Sequence, residues 1–578
     1  MFLRRITVHK DGKPHRYWAL AESYRTERGP RQRIVCYLGD VAAGDAKAVE
    51  HAVERVESCQ QDFFSPAELP SHLDIDPRKV RTERARAFGG VWLGKKLYEL
   101  LSLNELFGEL LSERRCGIAW DKIVEVLVIS RFYNPSSELH LAEHTYEAGA
   151  FEDLLGVPAE KVYENRLYRC LDKVLPHKKR LEQHLKSRLG ELFDIEYELF
   201  LYDVTSTYFE GRCGGSTLAQ RGYSRDSRPD CPQVCMALVV TKEGLPLGYE
   251  VFAGNRSDST TVEEIVSTME RTYGRCDRIW VMDRGMASAE NLEYLHQHDR
   301  RFIIGAAKSA LKKVEQQLLK EDWRQVEAGV EVKTCPNPDN ATETYILCRS
   351  RERAAKERAM FERFVKRIEE GLEKICASCR SHHGTNMSAR IERRIGRLLE
   401  RNSRAAALFD IQVSYDSSSG STTVCWMTKE HVRQWAHLSE GHYLLRTNIQ
   451  DWSAPDLWKA YIHLTDAEDA FRIHKSDLSL RPVWHQKDDR ILAHIFICFL
   501  AFVLWKCFAQ ICKGKGLGDE SRRVIEEICA IQMVDVVLAT SLGKEVKLRT
   551  ITRPDRRVQE LLSRLGWRLP DTLTKPKM

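Results

Sequence analysis

Short apolar runs broken by turn residues mark the first 80 positions. Ile6, Thr7 and Val8 lead into Asp11-Gly12, and the chain returns through Tyr17, Trp18, Ala19 and Leu20, a hairpin pattern. Positions 33–38 predict a further strand ending at Gly39. From about 84 to 195 the spacing becomes helical: Leu93, Leu97, Leu100 and Leu101, then Leu141, Tyr146, Leu154 and Leu155, then Leu167, Leu171 and Val174, then Leu181, Leu185 and Leu189. The run over 123–129 is denser, which predicts a helix buried on several sides.

Near residue 197 the texture changes. Apolar strands are predicted at 197–204, 234–240, 247–252, 278–283 and 302–305, with helices at about 262–269 and 288–296. Three antiparallel strands followed by helix, strand, helix, strand is the order of a ribonuclease-H-like α/β core. Strands at 330–335 and 344–348, helical stripes at 361–375 and 391–399, and a hairpin about 417–420 interrupt it. Strand 443–448 and a helix opening at Ser453-Ala454-Pro455 resume it. The expected organisation is a small β-rich unit (1–82), a helical unit (83–195) that reads DNA ends or serves as a packing scaffold, the core's first part (196–310), a basic mixed α/β insertion domain (311–438), the core's second part (439–512) and a C-terminal extension (513–578). No repeat of solenoid period is present.

Charge sharpens this picture locally. The net charge is +6, yet residues 349–404 carry 16 Lys and Arg against 8 Asp and Glu. A basic segment on a near-neutral body predicts a polyanion contact, with a solvated helix face as the alternative. Seventeen scattered cysteines and a polar, basic start fit reduced thiols in a cytoplasm. Cys376 and Cys379 with His382 and His383 are spaced too tightly for the usual zinc finger. The stretch 491–512 approaches the length of a membrane span, but His494 and Lys506 interrupt it, so a helix buried inside a large domain is expected.

The chemistry rests on acids. Asp203 lies on an apolar strand before Thr205, Ser206 and Thr207, and Asp283 ends another before Arg284-Gly285. A strand-borne acid in apolar surroundings is costly unless it is paired, hydrogen-bonded or metal-bound. Tyr461, Glu468 and Lys475 are spaced by seven, about 700° of helix, which predicts one shared face.

These residues resemble a family. Tyr461-x2-Leu464-x3-Glu468-x6-Lys475 is similar to the Y-x2-R-x3-E-x6-K signature of DDE transposases of the insertion-sequence-four-like group. Asp203 in YDVTSTYFEG and Asp283 in WVMDRGM resemble that group's catalytic aspartates. Arg446-Thr447-Asn448 and the segment from Arg481 through His485 to His494 resemble its long-chain members. Leu464 departs from the signature arginine, and Arg472 is the candidate replacement. The resemblance implies two-metal phosphoryl transfer, with Asp203, Asp283 and Glu468 holding two Mg²⁺ (or Mn²⁺) ions about 3.5–4 Å apart. Tyr461, Lys475 and Arg472 would contact DNA. The implied partners are double-stranded DNA, both terminal inverted repeats and target, and a second copy of the chain on DNA. No membrane is expected, and the implied location is cytoplasmic and nucleoid-associated. The runner-up is a metal-dependent nuclease of the same fold without strand transfer.

Overall fold

The computed structural model describes residues 2–10, 13–26, 29–39, 61–64, 75–115, 117–195, 198–274, 278–379, 387–416, 421–540 and 545–570. The chain divides into two compact units, one of residues 1–91, 147–156 and 524–578, the other of 92–146 and 157–523.

In the first unit, strands Phe2–Lys10, Lys13–Thr26 and Gly29–Gly39 form an antiparallel sheet with Ile6 opposite Tyr17. The turn expected at Asp11-Gly12 lies outside the described residues. A second sheet joins the two ends of the chain, in the order Gln61–Phe64, Glu545–Ile551, Gln532–Ala539, Arg81–Ala87. Helix was expected from about 84, yet Arg81–Ala87 is a strand. It has no apolar run to announce it. Its ladder with Gln532–Ala539 and the ion pairs of buried Arg86 with Asp153 (2.8 Å) and of Lys547 with Glu83 (2.8 Å) select the strand.

The second unit is built on a nine-stranded mixed sheet. Its strands are β1 (Leu199–Tyr208), β2 (Gln233–Val240), β3 (Pro246–Ala253), β4 (Ile279–Met282), β5 (Arg301–Gly305), β6 (Arg324–Glu327), β7 (Val330–Pro336), β8 (Thr344–Ser350) and β9 (His442–Thr447). The spatial order is β3-β2-β1-β4-β5-β9-β8-β7-β6. β1, β4 and β5 run parallel to one another, and every other pairing is antiparallel. Strands β6 to β8, which lie in the interval read as an insertion, prolong this same sheet through β9.

Phe200, Tyr202, Val204, Trp280 and Met282 point to one face and pack under helices α1 (Val262–Tyr273) and α2 (Ala289–Gln297). Because strand side chains alternate, Leu201, Asp203 and Val281 point to the other face. Between β8 and β9, helices α3 (Arg351–Cys379) and α4 (Met387–Arg401) and the hairpin Phe409–Asp416/Ser421–Thr428 enclose a core of their own around Ile368, Leu372, Ile391 and Phe409. The Cys376 and Cys379 thiols belong to that core and bond to the carbonyls of Val424 and Ile375, whereas His382 and His383 lie outside the described residues.

Beyond β9 the chain forms α5 (Ala454–Ile462), α6 (Leu464–Arg472), a π turn (Ile473–Asp477) and α7 (Asp488–Gly514). Ser453 caps α5 with Pro455 in its first turn, as expected. α7 is long and apolar enough to cross a membrane, but 89% of its most apolar window is buried inside the protein. It packs on the helices Trp120–Tyr133 and Glu164–Val174 and on β3.

Candidate active site

β1 and β4 pair in parallel with Tyr202 beside Met282, so Asp203 and Asp283 take the next position along neighbouring strands. Such strands lie about 4.8 Å apart, and equal register gives both side chains the same face. α6 packs on β1 and β2, which sets Glu468 near enough for its charge to act on Asp203 and for the Asp283 charge to act on it.

The electrostatics record this proximity. Burial pushes the Asp203 carboxyl up to about 7; the Asp283 and Glu468 charges add to the rise, while the Val204 N–H, donated to Oδ1 at 2.7 Å, and the Arg225 guanidinium oppose it. Glu468 is open to solvent on its outer side, yet desolvation by the surrounding protein and the Asp283 charge raise its carboxyl as well. Asp283 is exposed and caps the turn Arg284–Met286 by accepting from the Gly285 N–H at 3.5 Å. Among the described residues, Arg225 is a cation acting on Asp203 that the motif reading passed over. It pairs with Asp258, and its N–H bonds to Ser206 Oγ at 3.2 Å. The only advance signal was the charged loop RGYSRDSRPD following β1.

Tyr461, Glu468 and Lys475 do not share one regular helix face. Tyr461 ends α5, Glu468 lies in α6, and Lys475 falls within the π turn, whose wider coil breaks the heptad register. Tyr461 is half-buried, and its ionisation is disfavoured by burial and by the Asp283 charge. Its hydroxyl closes over Gly305, where a Cβ would sit 2.7 Å from it, so only glycine fits there without displacing the ring.

Lys475 Nζ bonds to buried Asp226 at 2.7 Å, and Arg481 also pairs with that carboxylate. Burial lowers the Lys475 pKa. Arg472 is half-exposed and paired with Asp469 (3.1 Å) and Asp477 (3.3 Å). Leu464 is buried, so this position serves the core. Arg446 pairs with Glu343, while Thr447 Oγ1 and Asn448 Nδ2 bond to the carbonyls of Phe302 and Arg300. That motif therefore fastens β9 to β5. A groove of 520 Å³ opens beside Asp283, lined among others by Arg284, Gly305, Arg353, Trp458 and Tyr461.

A mixed sheet that presents one carboxylate from within a strand, one from just past the end of the neighbouring strand and one from a helix, beside a groove with arginines at its wall, suits an enzyme acting on a polyanion. Residues 196–504 match the family model described as "Transposase DDE domain", and residues 3–66 match "IS1634 family transposase, N-terminal domain". The chain belongs to the DDE transposases, enzymes that act on DNA. Among solved structures, the cryo-EM structure of the piggyBac transposase synaptic complex with hairpin DNA aligns over 79% of this chain and 82% of that chain, at 9% identity and a TM-score of 0.34. No curated protein matches.

Proposed function

We propose that Asp203, Asp283 and Glu468 form the catalytic triad of this transposase and hold two Mg²⁺ or Mn²⁺ ions. The observation that carries this reading is the equal register of Asp203 and Asp283 on adjacent parallel strands with α6 packed across them. The donor set is all carboxylate, which suits hard cations; besides burial, the Asp283 charge raises both Asp203 and Glu468, and a divalent cation would relieve that charge surplus. When bound, such ions supply an activated nucleophile and a stabilised leaving oxygen. The strand order β3-β2-β1-β4-β5 supports a ribonuclease-H-like core, with α3, α4 and the 409–428 hairpin forming the insertion between β8 and β9.

On this reading the chain's own residues bind and orient DNA. Arg284 and Arg353 line the groove beside Asp283 and neutralise phosphates, and Tyr461 holds the backbone near the cut. Lys475 and Arg472 reach phosphate only by leaving Asp226 and the Asp469/Asp477 pair, so in the DNA-free protein they position the turn after α6. The substrates are the terminal inverted repeats of the chain's own insertion sequence and a target duplex, engaged by a homodimer. The insertion-sequence-four-like group and its Y-R-E-K signature belong to this reading, with Leu464 at the arginine position.

The test is incubation of the protein with its element ends and Mg²⁺, mapping the cut strands and the joined products. Replacing Asp203, Asp283 or Glu468 by Ala should lower cleavage by about 10³-fold or more while leaving end binding intact. Full cleavage by any of the three variants removes that residue from the site. Cutting without joining would favour a nuclease.

A further inference from the structure

A second cluster of metal-ligating side chains lies in the interior of the larger unit. Glu138 opens a single helical turn after its cap Ser137, His485 lies between the π turn and α7, and His494 lies in the second turn of α7. All three are buried, with 5%, 9% and 5% of their surfaces exposed. One donor atom from each can be chosen so that all three lie within 4.8 Å of one another.

The spacing is informative. Glu138 Oε1 is 3.3 Å from His494 Nδ1, and Glu138 Oε2 is 3.3 Å from His485 Nε2. Charge-assisted hydrogen bonds to a carboxylate run at about 2.7–2.9 Å. Arg131, the neighbouring cation, stands at 3.8 Å. Among the described residues, both imidazole contacts to this buried carboxylate are therefore long for charge-assisted hydrogen bonds. Two donors bound to one zinc ion at about 2.0–2.1 Å in tetrahedral geometry lie about 3.3–3.4 Å apart. The far nitrogen of His494 also has a partner. Its Nε2 faces Cys498 Sγ at 3.8 Å, one turn along α7. A ligating histidine anchored through its other nitrogen is the usual outer-shell arrangement. Two imidazoles and one carboxylate form a zinc-type donor set, unlike the three carboxylates of the candidate active site.

We propose that Glu138, His485 and His494 bind one divalent transition-metal ion, Zn²⁺ foremost, with Cys498 orienting His494. The ion would staple the segment around Glu138 to the segment entering α7, which lies nearly 350 positions later. It would bind the folded chain and not the unfolded one, and so stabilise the fold. This site is independent of the catalytic reading, since its ligands do not include the three carboxylates proposed there.

The test uses the full chain, with any purification tag removed, equilibrated with Zn²⁺ and desalted. Elemental analysis should find about one zinc ion per chain, and exchange with Co²⁺ should give the absorption bands of a tetrahedral N/O site. Glu138→Gln and His494→Ala should each lower the stoichiometry at least about tenfold, whereas Asp203→Ala should retain the metal. Zinc below about a tenth per wild-type chain, with a melting temperature unmoved by a zinc chelator, would mean a metal-free Glu–His network and overturn the proposal. Zinc lost in Asp203→Ala but kept in Glu138→Gln would place the ion at the catalytic carboxylates and overturn it equally. Should a variant fail to fold, the wild-type stoichiometry and the Co²⁺ spectrum decide.

Discussion

His474 shows how burial governs single residues around the site. It is fully buried against the Phe502 ring, with centroids 4.2 Å apart, and neither ring nitrogen has a hydrogen-bond partner among the described residues. Burial lowers its pKa from 6.5 to about 3. In the unfolded chain the imidazole takes up a proton below about pH 6.5, so between pH 6.5 and 3 the unfolded state holds more protons. This residue's contribution to stability is thus complete above pH 6.5 and is lost as pH falls, at up to about 1.4 kcal/mol per unit. His474→Leu should flatten the fall of the urea midpoint between pH 6.5 and 4; an unchanged slope would assign the acid sensitivity elsewhere. The neighbouring Lys475 illustrates the opposite solution. Its charge is retained in the interior because Asp226 meets it at 2.7 Å. Removing that carboxylate by Asp226→Ala strands Lys475 beside Arg481 and should cost about 2–4 kcal/mol in equilibrium unfolding. A loss below about 1 kcal/mol would show both cations already solvated.

At the scale of elements, α7 and the β1–β4 pair organise the larger unit. α7 owes its apolarity to packing on all sides, since helices Trp120–Tyr133 and Glu164–Val174 and strand β3 surround it. Leu500 is fully buried there. Leu500→Ala should therefore cost about 2–5 kcal/mol, measured as the change in unfolding free energy in detergent-free buffer. A near-neutral effect would contradict the buried-core reading of this helix. Apolar run length and composition made α7 legible as a helix, and its internal His494 and Lys506 argued against lipid. The run 197–204 was equally legible as a strand, which forms at Leu199–Tyr208. What the pattern missed at this scale was the π turn after α6. A helical period computed over Tyr461, Glu468 and Lys475 assumes unbroken α geometry, and a local widening is decided by packing rather than by side-chain spacing.

Across the whole molecule, the basic excess of 349–404 falls on α3 and α4. Their apolar stripes turn into a shared core, while Arg390, Arg393, Arg394 and Arg397 are exposed. That is the arrangement a phosphate-binding surface needs. Neutralising these four arginines should weaken binding to every DNA sequence and lower the salt slope by up to about 0.9 per lost contact. A slope equal to that of the unmodified protein would identify a solvated face only.

The sequence by itself determined what depends on neighbours along the chain: the apolar strand carrying Asp203 and the one running up to Asp283, the helical stripes of α3 and α4, the cap at Ser453 and the buried character of α7. Periodicity and capping are local, and they survive in the folded protein wherever burial agrees with them. Tertiary structure alone decided which distant segments meet. It made the charged stretch Arg81–Ala87 a strand by supplying Gln532–Ala539 as its partner, and it drew β6, β7 and β8 onto the core sheet through β9. It also set Lys475 against Asp226 and brought Glu138 to His485 and His494. Such meetings depend on strand register and on the closure of loops hundreds of residues long. Neither leaves a mark in the local spacing of residues, because the energy that fixes them is gained only once both segments are in place.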